Sequence, residues 1–168
     1  MKTLITGSSG SGKTYLAKKL RELGINAVDS DDLLGLYAWY DYKKEKVPFP
    51  DDFTQDFLDN HQFLWKRKFL ENFLKQNKDV YLFGMAGNTF EMIDLFDKTF
   101  FLKAPKELII KRLDHKSREN PMGKTDHQKR AVLEWALEME KRADKLKTPK
   151  IDGTLRYTEI LQIIKNNI

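Results

Sequence analysis

Apolar positions along this chain recur at two spacings, and the alternation between them predicts the architecture. Leu4-Ile5-Thr6 is a short β-prone run that passes into glycines and serines, and from Tyr15 to Leu23 the apolar residues recur at helical spacing. Gly24 stops that helix. Asn26-Ala27-Val28 then predicts a second strand, with Asp29-Ser30-Asp31-Asp32 at its carboxyl end, where open α/β sheets bind their ligands. From Leu33 to Trp65 the chain is dense in aromatics and broken by Pro48-Phe49-Pro50. This segment reads as helix, loop, helix, continuing through Phe69, Leu70, Phe73 and Leu74, which predicts a substrate-covering helical region over about 33–75. Asp79 to Phe83 is a third strand ending in Gly84-Met85-Ala86-Gly87-Asn88, and Lys98 to Lys103 is a fourth. Pro105 opens a helix with Leu108, Ile109 and Leu113 on one face. The polar stretch from Asp114 to Thr125, holding both Pro and Gly, interrupts two helices and reads as a lid. A long helix from about Asp126 to Leu146, a fifth strand at Pro149 to Asp152 and a closing helix with Ile160, Ile163 and Ile164 complete the chain. Strands alternating with helices predict a five-stranded parallel sheet in a three-layer α/β/α domain spanning 1–168, its core in 1–32, 76–113 and 147–168.

Composition narrows the chemistry. The 168 residues, 40% of them hydrophobic, suit one packed domain. The cysteine count is zero, which excludes disulfides, thiolate metal sites and cysteine nucleophiles. No apolar run approaches the roughly 20 residues of a membrane span, and the opening run is short for a secretory signal, so a cytoplasmic location with no membrane partner is the expectation. The 30 Lys+Arg against 25 Asp+Glu favour anionic partners, but acids interrupt the basic clusters, so nucleic acid is possible rather than favoured.

Gly7-Ser8-Ser9-Gly10-Ser11-Gly12-Lys13-Thr14 matches G-x-x-x-x-G-K-[ST] in full, between a strand and an amphipathic helix. Glycines let such a loop turn tightly enough for backbone N–H groups to face phosphate oxygens, and the following helix presents its positive end to them. The pattern predicts an ATP site in which Lys13 bridges the β- and γ-phosphates and the Thr14 hydroxyl binds Mg²⁺.

The order of phosphate loop, acidic second-strand end, aromatic region, glycine-ended third strand, Arg-bearing lid and final strand resembles the small P-loop kinases, the group with shikimate, gluconate and adenylate kinase. Val28-Asp29-Ser30-Asp31 looks like the D-x-D of the shikimate kinase group. That resemblance implies a P-loop NTPase fold with a helical lid. It also implies Asp29 holding magnesium through water and Asp31 orienting or deprotonating the acceptor hydroxyl. Either acid is equally suited to cap a helix starting near Leu33, and Asp32 reads as a first-turn residue. By the same resemblance Arg118 and Arg112 would close on the nucleotide, with Lys116 and Lys124 as weaker candidates, and Ile151-Asp152-Gly153-Thr154 would form the adenine-side loop. A solvated helix accounts for Arg112, and an ordinary β-turn for Asp152-Gly153, equally well. The third strand lacks the terminal acid of a Walker B, and the triple glycine of shikimate kinase is replaced by Gly84-Met85-Ala86-Gly87-Asn88, which argues against shikimate as acceptor.

Other candidates are weaker. Asn88 is placed to touch substrate, Gly123 is a hinge or a turn, and Arg67 binds an acidic substrate group or lies on a solvated helix. Trp39 and Trp65 stack on a base or fill a core, and His61, His115 and His127 have no ligand-like spacing. The expected function is an ATP- and Mg²⁺-dependent small-molecule kinase acting on a hydroxyl or phosphate of a nucleoside, nucleotide or sugar-acid-like acceptor. The alternatives are a polynucleotide-end kinase and a nucleotide-binding regulatory module.

Overall fold

The computed structural model describes residues 1–50, 54–115 and 123–166. Five strands form a parallel sheet: β1 (Lys2–Thr6), β2 (Ala27–Asp29), β6 (Val80–Phe83), β7 (Lys98–Lys103) and β8 (Lys150–Asp152). They lie in the order β2-β6-β1-β7-β8, so β1 is central and the chain reverses its direction of travel across the sheet beside it. Every one of these strands was legible in the apolar runs.

The sheet is covered on both faces because its strands are apolar on both. Ile5, Phe83, Phe100, Leu102 and Ile151 pack against Leu16, Ala17 and Leu20 of α1 (Lys13–Glu22) and Ile160, Leu161 and Ile164 of α6 (Tyr157–Asn166). The alternate positions Leu4, Val80 and Leu82 meet Leu70 and Leu74 of α3 (Arg67–Gln76). Phe101 meets Met139 and Ala143 of α5 (Asp126–Lys145), and Ile109 and Leu113 of α4 (Lys106–Leu113) meet Val132 of the same helix. This is the three-layer α/β/α sandwich of the P-loop NTPases.

The expected helical region over about 33–75 is corrected. After a single 3₁₀ turn at Ser30–Asp32 the chain forms a second, three-stranded antiparallel sheet, β3 (Tyr37–Tyr40), β4 (Lys46–Val47) and β5 (Gln62–Trp65), with the short α2 (Gln55–Asn60) between its last two strands. Only α3 is the helix foreseen there. The reason is strand pairing. Tyr37-Ala38-Trp39-Tyr40 and Gln62-Phe63-Leu64-Trp65 alternate bulky aromatics with other residues at period two, and aromatic cross-strand pairs such as Trp39–Phe63 stabilise a ladder better than a helix face. Trp39, Phe49, Phe57 and Phe63 form a half-buried aromatic cluster on this side sheet, with Trp39 stacked on Phe49 at 5.2 Å and tilted against Phe63 at 5.4 Å.

The lid expected over about 114–125 lies largely outside the described residues, and Lys116 and Arg118 with it. Its carboxyl-side root is fixed: Gly123 adopts φ +90° against Leu113, and Thr125 and Gln128 form a reciprocal capping box that starts α5. Among the described residues no helix is long and apolar enough to cross a membrane.

Candidate active site

The phosphate loop joins β1 to α1 at the carboxyl edge of the sheet. Gly10 and Gly12 take φ +81° and +110°, conformations that favour glycine, and an added Cβ at Gly7 would collide with the Leu102 carbonyl oxygen. No side chain among the described residues caps α1, and its first turn holds no acid. Its leading N–H groups and the positive end of its dipole are therefore directed at whatever occupies the loop. The Lys13 ammonium donates to the Gly7 and Ser8 carbonyls at 2.6 and 2.9 Å, which holds it across the loop mouth. Ser8 and Ser11 are buried, Ser9 is half-buried, and the Thr14 hydroxyl is exposed at the start of α1.

The acid cluster stands at the end of β2, two strands from β1 across β6. Asp29 is 4% exposed and accepts the Asp31 N–H at 3.1 Å, so it caps the 3₁₀ turn that presents Asp31. Crowding by protein first, and the neighbouring Asp29 charge second, push the Asp31 carboxyl above the ordinary range, while Lys13 and the Ser30 hydroxyl pull against that rise. Asp32 faces away and pairs with Arg21 at 3.7 Å. A Cβ on Gly84, at the end of β6, would overlap Ser30 Oγ and lie 2.5 Å from Ser30 Cβ and 2.7 Å from Trp65 Cζ2. Gly84 thus lets the β2 end and the Trp65 ring meet.

Arg112 sits behind the phosphate loop. Its guanidinium donates to the carbonyls of Gly10 at 3.1 Å, Ser11 at 2.7 Å and Gly153 at 3.0 Å, tying α4 and the loop after β8 to the phosphate loop. Burial lowers its pKa from the ordinary arginine value. A depression beside it is lined by Gly12, Tyr15, Leu102, Gly153, Leu155 and Tyr157. Asp152 turns outward and accepts the Thr154 N–H at 2.8 Å, forming the turn that places Gly153. Truncating Arg112→Ala is expected to lower the melting temperature by several degrees, in line with about 1–3 kcal/mol for lost charge-assisted bonds, and to weaken ATP binding about tenfold. Arg112→Lys should recover little of either, because an ammonium cannot span three carbonyls as the planar fork does. Thermal unfolding and ATP titration check both.

Three of the weaker positions make structural contacts. Asn88 accepts the Trp65 N–H and donates to the Trp65 carbonyl, both at 2.9 Å, extending β5 as a pairing strand would. Arg67 is held by Asp94, Glu71 and the Glu91 carbonyl. His61 stacks on Phe57 at 4.1 Å. Among the described residues no group of three or more His, Cys, Asp or Glu is placed to hold a metal.

Tyr37 was missed as a candidate. Its hydroxyl lies 3.4 Å from the Asp31 carbonyl, and its own burial with the Asp31, Asp32 and Asp29 charges raises its pKa. The only local signal was the aromatic density directly after the acids. Arg142 was also missed; it donates to the Gly87 carbonyl at 2.8 Å and lies over the Phe90 ring, fixing the loop after β6.

The fold is shared with solved kinases. The chain superposes on shikimate kinase from Acinetobacter baumannii in complex with shikimate (TM-score 0.60, 18% identity, covering 99% of this chain and 94% of that one). It superposes likewise on deoxyadenosine kinase from M. mycoides with bound dATP (0.52, 15%, 99% and 98%). A gluconokinase from Sinorhizobium meliloti is a third (0.53, 15%, 96% and 87%). No curated protein matches the chain by sequence. The AAA domain model AAA_18 matches residues 4–133, from β1 through the phosphate loop and acid cluster into α5, and the chain belongs to that AAA domain family.

Proposed function

We propose that the protein is an ATP- and Mg²⁺-dependent phosphotransferase, a kinase moving the γ-phosphoryl of ATP to a hydroxyl or phosphate of a small metabolite. The observation that carries this reading is the phosphate loop opening into an uncapped helix, with a crowded pair of acids at the next strand end. Backbone N–H groups of Gly7 to Thr14 and the Lys13 ammonium bind the β- and γ-phosphates, and the base takes the depression beside Arg112 and Gly153. The buried Asp29 carboxylate and the Thr14 hydroxyl are hard oxygen donors of the kind Mg²⁺ accepts alongside phosphate and water. Bound there, the ion would neutralise phosphate charge.

For a hydroxyl acceptor, its oxygen attacks the γ-phosphorus, the bond to the β–γ bridging oxygen breaks, ADP leaves, and the hydroxyl proton passes to Asp31. Phosphoryl transfer depends more on alignment and charge neutralisation than on a strong base, which fits one modestly activated carboxylate. Arg118, from the resemblance, would add positive charge over the γ-phosphoryl.

Asp31→Asn should cut transfer about 100-fold or more while leaving ATP affinity within about threefold. Equal loss of both would refute the assignment. The same variant tests the pKa direction. A carboxyl whose folded pKa is raised stabilises the fold below its unfolded value of about 3.9, and that contribution disappears as pH rises through the folded value. At neutral pH ionised Asp31 is thus a cost, so Asp31→Asn is expected to melt higher than the parent at pH 7, the advantage vanishing below about pH 4. Transfer by the parent should fall with acid along a limb set above the ordinary aspartate range. The reading as a whole is tested by phosphorus NMR of ATP and Mg²⁺ with pooled acceptors, where a new phosphate ester identifies a kinase.

A further inference from the structure

The parallel strands all begin at the edge of the sheet opposite the phosphate loop, about 15 Å away along β1. That amino-terminal edge is rich in lysine. Lys78 stands just before β6, Lys2 and Lys98 open β1 and β7, and Lys147 lies just before β8, so the neighbouring strands β6, β1, β7 and β8 each bring a lysine to the same edge. The register sets them side by side, with Lys2 beside Val80 and Lys98 beside Thr3. Adjacent strands lie ~4.8 Å apart, so the row spans about 15 Å. The helices that return to this edge add Lys75 at the end of α3 and Lys145 at the end of α5.

The acids at this edge are engaged and the lysines are not. Asp79 binds the amino-terminal ammonium, Asp97 accepts the Lys2 N–H at 2.7 Å, and Asp144 pairs with Lys150 at 2.7 Å. None of Lys2, Lys75, Lys78, Lys98, Lys145 and Lys147 makes an ion pair among the described residues, and all but the half-buried Lys2 are exposed. Helix dipoles account for Lys75 and Lys145, and protection of a sheet edge accounts for lysines on outer strands. Neither covers Lys2 and Lys98, which stand on the interior strands β1 and β7. Lys147 takes φ +53°, a conformation that favours glycine, in a turn fixed by the Thr148 N–H on the Ala143 carbonyl at 2.9 Å. The fold thus gathers like charges whose repulsion an anionic partner would relieve.

The make-up of the row selects that partner. Tyr15 and Tyr42, the exposed aromatics among the described residues, lie beside the phosphate loop and in the turn between β3 and β4, so no exposed ring stands at this edge to stack on an unpaired base. A duplex instead offers closely and regularly spaced phosphates, which a row of ammonium groups contacts without reading bases. A lipid surface would need an apolar face as well, and Leu23 and Leu146 are the large exposed apolar side chains here. We propose that the amino-terminal edge of the sheet binds the phosphate backbone of double-stranded nucleic acid, without sequence preference, at a surface separate from the phosphate loop. This stands apart from the kinase reading and does not require it.

The test is fluorescence anisotropy of two labelled duplexes of about 20 base pairs and unrelated sequence, with a non-hydrolysable ATP analogue and Mg²⁺ saturating the phosphate loop. Both duplexes should bind alike, with micromolar affinity at about 50 mM salt and a loss of about 100-fold by about 200 mM, as counterion release from roughly four phosphates dictates. Lys78→Gln, Lys98→Gln and Lys147→Asn combined should weaken binding at least about 30-fold at the lower salt and flatten the salt slope by about three. That variant should melt and bind ATP as the parent does. Lys43→Gln, Lys44→Asn and Lys46→Gln, which remove the same charge around the turn between β3 and β4, should leave duplex binding within about twofold. No binding at the lower salt overturns the proposal, and so does an equal loss in both triple variants, which would mean net charge and no site. Binding that vanishes on addition of the ATP analogue places the duplex in the phosphate loop and overturns it too. Tighter binding to anionic-lipid vesicles than to either duplex makes the occupant a membrane. Should the first triple variant melt below the parent, Lys98→Glu alone carries the test, with about a tenfold loss expected and parental affinity refuting the row.

Discussion

Lys13→Ala is expected to reduce phosphoryl transfer by at least about 10³-fold, a loss of roughly 4 kcal/mol of transition-state stabilisation, with little effect on folding. The ammonium already lies across the loop mouth, where it donates to two carbonyls. A phosphate in the loop offers the ammonium anionic oxygens, and bonds between two charged groups are stronger than those to a carbonyl. The gain grows as negative charge shifts toward the bridging oxygen, so the effect should appear in kcat more than in ATP affinity. Because Lys13 is half-buried at the first position of α1 and outside the four apolar clusters of the core, the variant should melt within a few degrees of the parent. Single-turnover transfer and calorimetric ATP titration measure the two effects. A variant that keeps a tenth of the parental rate would remove Lys13 from the reaction.

Gly84→Ala is expected to do the opposite, damaging structure first and activity through it. The added methyl would overlap Ser30 Oγ and crowd Ser30 Cβ and Trp65 Cζ2, and both residues are buried. A rotamer change can move the hydroxyl, but Ser30 Cβ moves only with its backbone, which lies between the two acids. Overpacking of this kind costs about 1–3 kcal/mol, enough to lower the melting temperature by several degrees in a domain of this size. Relief by shifting the β2 end would carry Asp29 and Asp31 with it, so transfer should fall even in the folded fraction. ATP binding at the phosphate loop, on the far side of β6, should survive in that fraction. An alanine variant with parental melting temperature and rate would show that this approach is not close in solution.

The two halves of the site differed in legibility for a physical reason. The donor half is encoded locally: eight consecutive residues from Gly7 to Thr14 state their own conformation, and the short apolar strands around them are buried on both faces and so read as plain runs. The half beside the acid cluster depends on pairing between residues far apart. Tyr37 to Tyr40 has too few positions to distinguish period two from a helix face, and only the partner strand at 62–65 decides it. The Asn88 clip on Trp65 spans 23 positions and leaves no local trace. The partners of Arg112 were not legible, because they are the carbonyls of Gly10, Ser11 and Gly153, and backbone oxygens carry no sequence signature.

The side sheet is a single uninterrupted excursion, leaving the core after Asp32 and rejoining it at α3, while every phosphate-handling element described lies outside it. The excursion is therefore portable. One cassette, about residues 33–66, can be exchanged between relatives without cutting the phosphate loop, and its junctions fall at a surface turn and at the start of a helix. The exchange has several foreign dependencies: Leu36 and Trp65 pack with Leu4, Leu70 and Leu82, Asn88 clips Trp65, and α2 rests on α5, so a transplanted cassette must arrive with compatible partners at each.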